Sequence, residues 1–139
     1  MKLFSRSKSD EGKGGGNKGG ATVVAIVQAD AEGRIRLWSA GAEALFGHTA
    51  AQAVGQTLDL IVPENFREAH WKGFRRAMDS KGMQGNEPFV LPVLCRDGKT
   101  KPFAGRLLYL SDAYGTAVGA LGMFVPEKTG AGVPELYRL

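Results

Sequence analysis

Three turns built on aspartate and glycine divide the apolar stretches of this chain, and each has an apolar run on both sides. Asp30 to Gly33 separates ATVVAIVQAD from RIRLWSA. Arg96-Asp97-Gly98 separates EPFVLPVLCRDG from KPFAGRLLYLSDA, and Asp112 to Gly115 separates that run from TAVGALGMFVPE. Aspartate and glycine suit the backbone of a tight turn, and apolar or β-branched runs flanking such a turn read as hairpin strands. Arg34, Ile35, Arg36 and Leu37 alternate polar and apolar, as in a strand buried on one face. The pattern predicts two early strands and three late ones. Hairpins of this length admit only antiparallel neighbours.

Residues 39–80 follow a different period. Ala42, Leu45 and Phe46 fall at helical spacing and stop at Gly47. Thr49 is placed to cap TAAQAVGQ, which ends at Gly55, and LDLIVPE makes a further turn of helix closed by Pro63. The longest helix is predicted from Pro63 or Glu64 to Ser80, with Pro63 near its first turn and Gly82 as the stop signal. Two strands, a run of helices and three strands predict an α+β fold, with an antiparallel sheet and helices gathered on one face.

The flanks differ from this middle. Residues 1–20 are rich in Gly, Ser and Lys and carry five basic residues against two acidic ones, which predicts a disordered basic leader. Residues 21–127 form one domain, and residues 128–139 a tail whose Tyr137 and Leu139 could dock on it. Beyond residue 20 there are 13 basic and 12 acidic residues, so the net charge of +4 belongs mostly to the leader. A nucleic-acid-binding fold needs a basic patch of its own, and none is expected here. The single cysteine, Cys95, excludes an internal disulfide and a cysteine-based zinc site, and suits a reducing cytoplasm. No apolar run approaches the ~20 residues that span a bilayer, and residues 1–16 lack the apolar core of a secretory signal. The expectation is a soluble cytoplasmic chain with no membrane or nucleic-acid partner.

Residues 66–76, FREAHWKGFRR, lie closest to chemistry. On a helix, Phe66, His70, Phe74 and Ala77 share one face, so His70 interrupts an apolar stripe. It reads either as a ligand to something in a pocket or as a packed imidazole. Arg67, Arg75 and Arg76 read as a solvated face, Trp38 and Trp71 as packing residues, and His48 as a capping or surface residue. The glycine run at 12–20 lacks the strand before and helix after that a phosphate loop requires. No Ser-His-Asp or paired-carboxylate arrangement stands out, and Glu64 with Glu68 reads as solvated charge, so no enzyme is expected.

The words ADAEGRIRLWSAGAEALFGH, AVGQ, LDLIVPE and CRDGKTKPF, in this order, resemble a PAS domain over about Thr22 to Glu127. Ser39 stands where the family often has Asn, and His48 where it usually has Tyr. The resemblance implies a five-stranded antiparallel sheet with helices on one face enclosing a small pocket. It also implies a sensory role in signal transduction, with a small-molecule ligand and a signalling partner protein. No effector segment is visible, so a stand-alone sensor is expected. The family's habit of pairing favours a homodimer. A cofactor-free module for dimerisation or protein interaction is the alternative.

Within the family, Arg67-Glu68-Ala69-His70 followed by Phe74, Arg75 and Arg76 is similar to the proximal helix of haem-binding sensors. This makes haem the leading candidate cofactor for gas or redox sensing. The likeness implies His70 as the iron ligand and Arg76 near a propionate, with Phe66 and Phe74 beside the ring. Phe89, Leu91, Leu107 and Met123 would form an apolar distal wall, Gly105 would leave room for the ring, and Met83 is an alternative sixth ligand. A flavin photosensor of the family carries its cysteine on an early helix. Cys95 sits late, before the turn at Asp97, so that chemistry is not expected.

Overall fold

All three expected turns close hairpins in a computed structural model of the chain, which describes residues 23–80 and 88–127. At the first, Asp30 Oδ1 accepts from the backbone N–H groups of Glu32 and Arg34, both at 3.0 Å. Asp112 Oδ1 does the same for Tyr114 and Thr116, at 2.8 and 3.0 Å. In each turn the glycine three residues on has positive φ, 83° at Gly33 and 87° at Gly115. The carboxylate satisfies donors that the tight bend removes from the ladder, and glycine takes the left-handed conformation without steric cost.

The strands are β1 (Ala25–Asp30), β2 (Ile35–Trp38), β3 (Pro88–Leu94), β4 (Thr100–Ser111) and β5 (Ala117–Pro126). They form one antiparallel sheet in the order β2-β1-β5-β4-β3. The long-range pairing of β1 with β5, Ala25 opposite Phe124, joins the early hairpin to the late strands. β1 begins only at Ala25, so the expected first strand is shorter than its β-branched run. Val23 and Val24 precede it and are exposed, and the Val24 carbonyl passes too close to Gly41 for any side chain there. The leader 1–20, the tail 128–139, Gly82 and Met83 lie outside the described residues.

Between β2 and β3 the chain forms α1 (Ala40–Phe46), α2 (Ala50–Ala53) and α3 (Arg67–Asp79). Short 3-10 turns stand at Leu58–Leu60 and Glu64–Phe66, so the predicted long helix becomes α-helical only at Arg67. Thr49 caps α2 in a capping box with Gln52, and Gly47 ends α1 in the left-handed conformation with φ 98°.

The core lies between these helices and the inner face of the sheet. Phe46 on α1 is 1% exposed, and its ring lies 5.0 Å from Phe103, 5.4 Å from Phe124 and 5.8 Å from Trp38. Ser39 sets where α1 starts. Its Oγ accepts from Ala42 N–H at 3.1 Å, as an N-cap, and from Ile26 N–H of β1 at 2.8 Å. Ser39→Ala therefore leaves two backbone donors without that oxygen. It should cost about 1–2 kcal/mol of unfolding free energy, read as a lower urea midpoint with an unchanged denaturant slope. A midpoint equal to the parent would show that Ser39 does not carry the junction.

Candidate functional site

Helix α3 is latched to the loop before it by polar contacts from its first turns. Arg67 Nε donates to the Val62 carbonyl at 3.0 Å, and Arg67 Nη2 to the Asp59 carbonyl at 3.2 Å. Trp71 Nε1 donates to Asp59 Oδ1 at 2.7 Å. Arg67 also lies 3.8 Å from that carboxylate, but a half-exposed ion pair contributes only ~0–1 kcal/mol, so the hydrogen bonds dominate. The Trp71 ring fills the space that a side chain at Gly33 would need, which ties α3 to the β1–β2 turn. Arg67 thus leaves the solvated face expected of it, whereas Arg75 and Arg76 stay exposed.

Behind the latch, α3 does not close onto the sheet. A partly enclosed cavity of about 90 Å³ remains between His70, Gly73 and Phe74 of α3, the loop residues Leu58, Ile61 and Val62, and the inner face of β3, β4 and β5. Of the residues expected at a site, His70, Phe74, Leu91 and Leu107 line this cavity. Phe66 and Phe89 pack against the adjoining core instead, with the Phe89 ring 5.6 Å from that of Phe124. Arg76 is exposed and is not part of the lining.

Met123 stands on the wrong face. It pairs with Ile26 and Arg106 on the outer side of the sheet, while its neighbour Phe124 is 6% exposed and lines the cavity. Side chains alternate along a strand, so a register error of one residue exchanges the faces. Gly105 leaves no room for a ring either, because the Met123 carbonyl of β5 already occupies the place of a side chain. Tyr109 and Phe124 were missed. The alternation that places Leu107 inside also places Tyr109 inside, and the buried even positions of β5 select Phe124 over Met123.

Among the described residues that line the cavity, only His70 and Tyr109 have polar side chains. The imidazole lies 4.7 Å from the Trp71 ring and 6.0 Å from Phe74, and its Nδ1 is buried. Burial pushes the His70 pKa down to about 4, against a weaker upward pull from the Asp59 carboxylate. Desolvation likewise raises the Tyr109 phenol above its usual value. Both side chains are therefore neutral at pH 7, and the described lining residues carry no formal charge. Cys95 is buried but outside the cavity, its thiol pushed upward chiefly by desolvation. Among the described residues, no three His, Cys, Asp or Glu side chains gather as a metal site, and no helix is long and apolar enough to cross a membrane.

The His70 shift has a pH consequence of definite sign. The unfolded chain protonates this imidazole near pH 6.5, and the folded chain only near pH 4. Between these values the unfolded state binds more protons, so stability is complete above pH 6.5 and falls as pH drops toward 4. The loss attributable to His70 is about 3 kcal/mol. His48 shifts the same way, through burial and then the Arg96 charge, so a variant must separate the two. Urea midpoints at pH 7 and pH 4.5 should fall less for His70→Phe than for the parent. Equal falls would contradict a buried neutral His70.

Comparison with known proteins places this geometry. The family described as "PAS fold" matches residues 21–126. Among solved structures, the PAS domain of a protein from Colwellia psychrerythraea is 26% identical with a TM-score of 0.63, over 73% of this chain and 84% of that one. A PAS domain of the quorum-sensing receptor RpfR from Cronobacter turicensis, in complex with C12:0, is 16% identical with a TM-score of 0.57, over 73% and 93%. A light-oxygen-voltage domain studied with a flavin analogue is 20% identical with a TM-score of 0.58, over 76% and 78%. The last two likenesses concern the fold alone. No match to a curated protein was found. The sheet order, the helices on its inner face and the match over nearly all the described residues agree: the chain belongs to the PAS family.

Proposed function

We propose that this PAS domain senses a small, uncharged and largely apolar molecule, held beneath α3 with His70 as its hydrogen-bonding partner. The carrying observation is an apolar cavity whose one imidazole titrates only near pH 4. A neutral imidazole offers one donor and one acceptor. A carboxylate or ammonium group would enter this lining with no opposite charge, and an uncompensated buried charge is strongly unfavourable. The sensory role and the binding of small ligands accord with the family, whose members are generally non-enzymatic modules. An RpfR domain of this fold is in complex with C12:0, a fatty acid whose chain is apolar but whose carboxyl group sets it apart from the neutral ligand proposed here.

Haem fits this site poorly. Neutral His70 suits iron, but a cavity of about 90 Å³ is well below the roughly 300–1,000 Å³ of sites for drug-sized ligands, and haem is large even among those. Arg76, the expected propionate partner, is not in the lining. A flavin meets the same limit of volume. No step is assigned to either group.

The output in this reading is a movement of α3. An occupant pressing on His70 and Phe74 shifts the helix, and Trp71 carries the shift to Asp59 and the Gly33 turn. A signalling partner would read that change. The decisive experiment titrates the full chain with 1-hexanol, hexanoate and hexylammonium while following backbone amide shifts. Hexanol should shift the amides of His70, Phe74 and Leu107 saturably, and the two ions at equal concentration should not. Equal responses to all three, or none to hexanol, would sink the proposal. Haemin reconstitution should yield no Soret band that depends on His70, and a band abolished by His70→Ala would restore the haem reading.

A second reading, an interaction module working as a homodimer, draws on the outer face of the sheet. Ile26 and Met123 pair there, as do Leu121 and Leu108, and Leu37 beside them is 42% exposed. Leu108→Lys should convert a dimer to a monomer in sedimentation while leaving hexanol binding intact. A parent protein that is monomeric at high concentration would count against this reading.

A further inference from the structure

Among the described residues, nothing around position 73 asks for glycine. It lies in the interior of the thirteen-residue α3, where glycine is among the least favourable residues. Its φ is not in the left-handed region that glycine serves elsewhere in the chain. Apart from its two chain neighbours and the helix's own backbone, a side chain there would meet no atom of the described residues within 4 Å, so no close approach of another described element excludes one. Gly73 differs in this from Gly33, where Trp71 fills the space, and from Gly105, where β5 does. Gly73 borders the cavity. It lies three residues after His70 and directly before Phe74, on the side of the helix that faces the apolar walls.

We propose that Gly73 determines the size selectivity of the ligand site. An occupant's apolar body lies against the bare backbone of α3 at Gly73, one helical turn from its polar group at His70. This rests on the reading of the cavity as a ligand site. A methyl group is comparable in size with a water molecule, so in a cavity of about 90 Å³ even alanine removes a substantial share of the room. The class of ligand favoured is a neutral molecule with one hydroxyl, carbonyl or similar group on a slim, unbranched or planar apolar body. A side chain at position 73 would exclude the longer members of such a series first. The helix tolerates the glycine because the absent side chain preserves the site.

The test uses a size series at position 73 with two alcohols of different length as probes. Gly73→Ala and Gly73→Leu replace glycine with good helix formers, and Lys72→Leu adds similar bulk at the exposed neighbouring position as a control. Affinities for 1-butanol and 1-hexanol are measured by amide shift titration, and folding by thermal unfolding. Gly73→Ala should unfold at the same or a higher temperature than the parent. It should bind 1-hexanol about tenfold more weakly and 1-butanol with a smaller loss. Gly73→Leu should lose both probes, and Lys72→Leu should bind as the parent does. If the parent and Gly73→Ala bind 1-hexanol equally, the role of Gly73 is refuted and the ligand site stands. If the parent binds neither alcohol, the ligand site is refuted and the role of Gly73 with it. A Gly73→Ala protein that unfolds at a much lower temperature would also refute the proposal, since it would show that packing, not space, demands the glycine.

Discussion

The packing of Phe46 is the contact on which the arrangement of layers depends. Its ring meets Trp38 of β2, Phe103 of β4 and Phe124 of β5, and its own carbonyl accepts from Arg96 N–H at 2.8 Å in the β3–β4 turn. One residue on α1 therefore touches three strands through its ring and the turn of a hairpin through its backbone. Burying an aromatic ring of this size contributes several kcal/mol through apolar area, with more from edge-to-face geometry. Phe46 of α1 and Phe74 of α3 are both buried on the inner side of the sheet, which holds the helices to that face. The ordinary demands of close packing are met around Phe46, and they lapse toward α3.

That difference creates the site. α1 is held by its buried face, whereas α3 adds to the buried Phe74 and Ala77 the hydrogen bonds of Arg67 and Trp71 to Asp59 and Val62. Hydrogen bonds at one end fix the helix at a set height above the sheet without requiring side chains to fill the space beneath. Phe74 and Ala77 pack inward, but His70 and Gly73 do not fill what lies next to them. A cavity with almost no polar lining holds its imidazole neutral, because desolvation disfavours the charged form. The geometry of the latch and the chemistry of the pocket are thus one arrangement.

Much of the fold was legible from local pattern. The three turns, the cap at Thr49, the stop at Gly47 and the helical face of His70, Phe74 and Ala77 each follow from a few neighbouring residues. The errors arose where two segments meet. The likeness that makes Met123 a wall residue fails because the alternation along β5 turns it outward, and a run as apolar as GALGMF hides which parity is inside. Arg76 was placed by likeness to other sequences, and its exposure on α3 removes it from the cavity. Arg67 read as surface charge because its partners are backbone carbonyls, which no residue type advertises. Gly73 was unremarkable in FREAHWKGFRR, since the meaning of a glycine depends on what lies across from it.

The sequence by itself determined the order of elements, the antiparallel sense of the sheet and the inward side of α3, because turns, caps and periodicity are written in adjacent residues. Only the tertiary structure decided the pairing of β1 with β5, the face of each late-strand residue and the volume left beneath the helix. Those depend on how distant segments fill or fail to fill a common space. A cavity is a property of everything around it, and no single stretch of chain encodes its size.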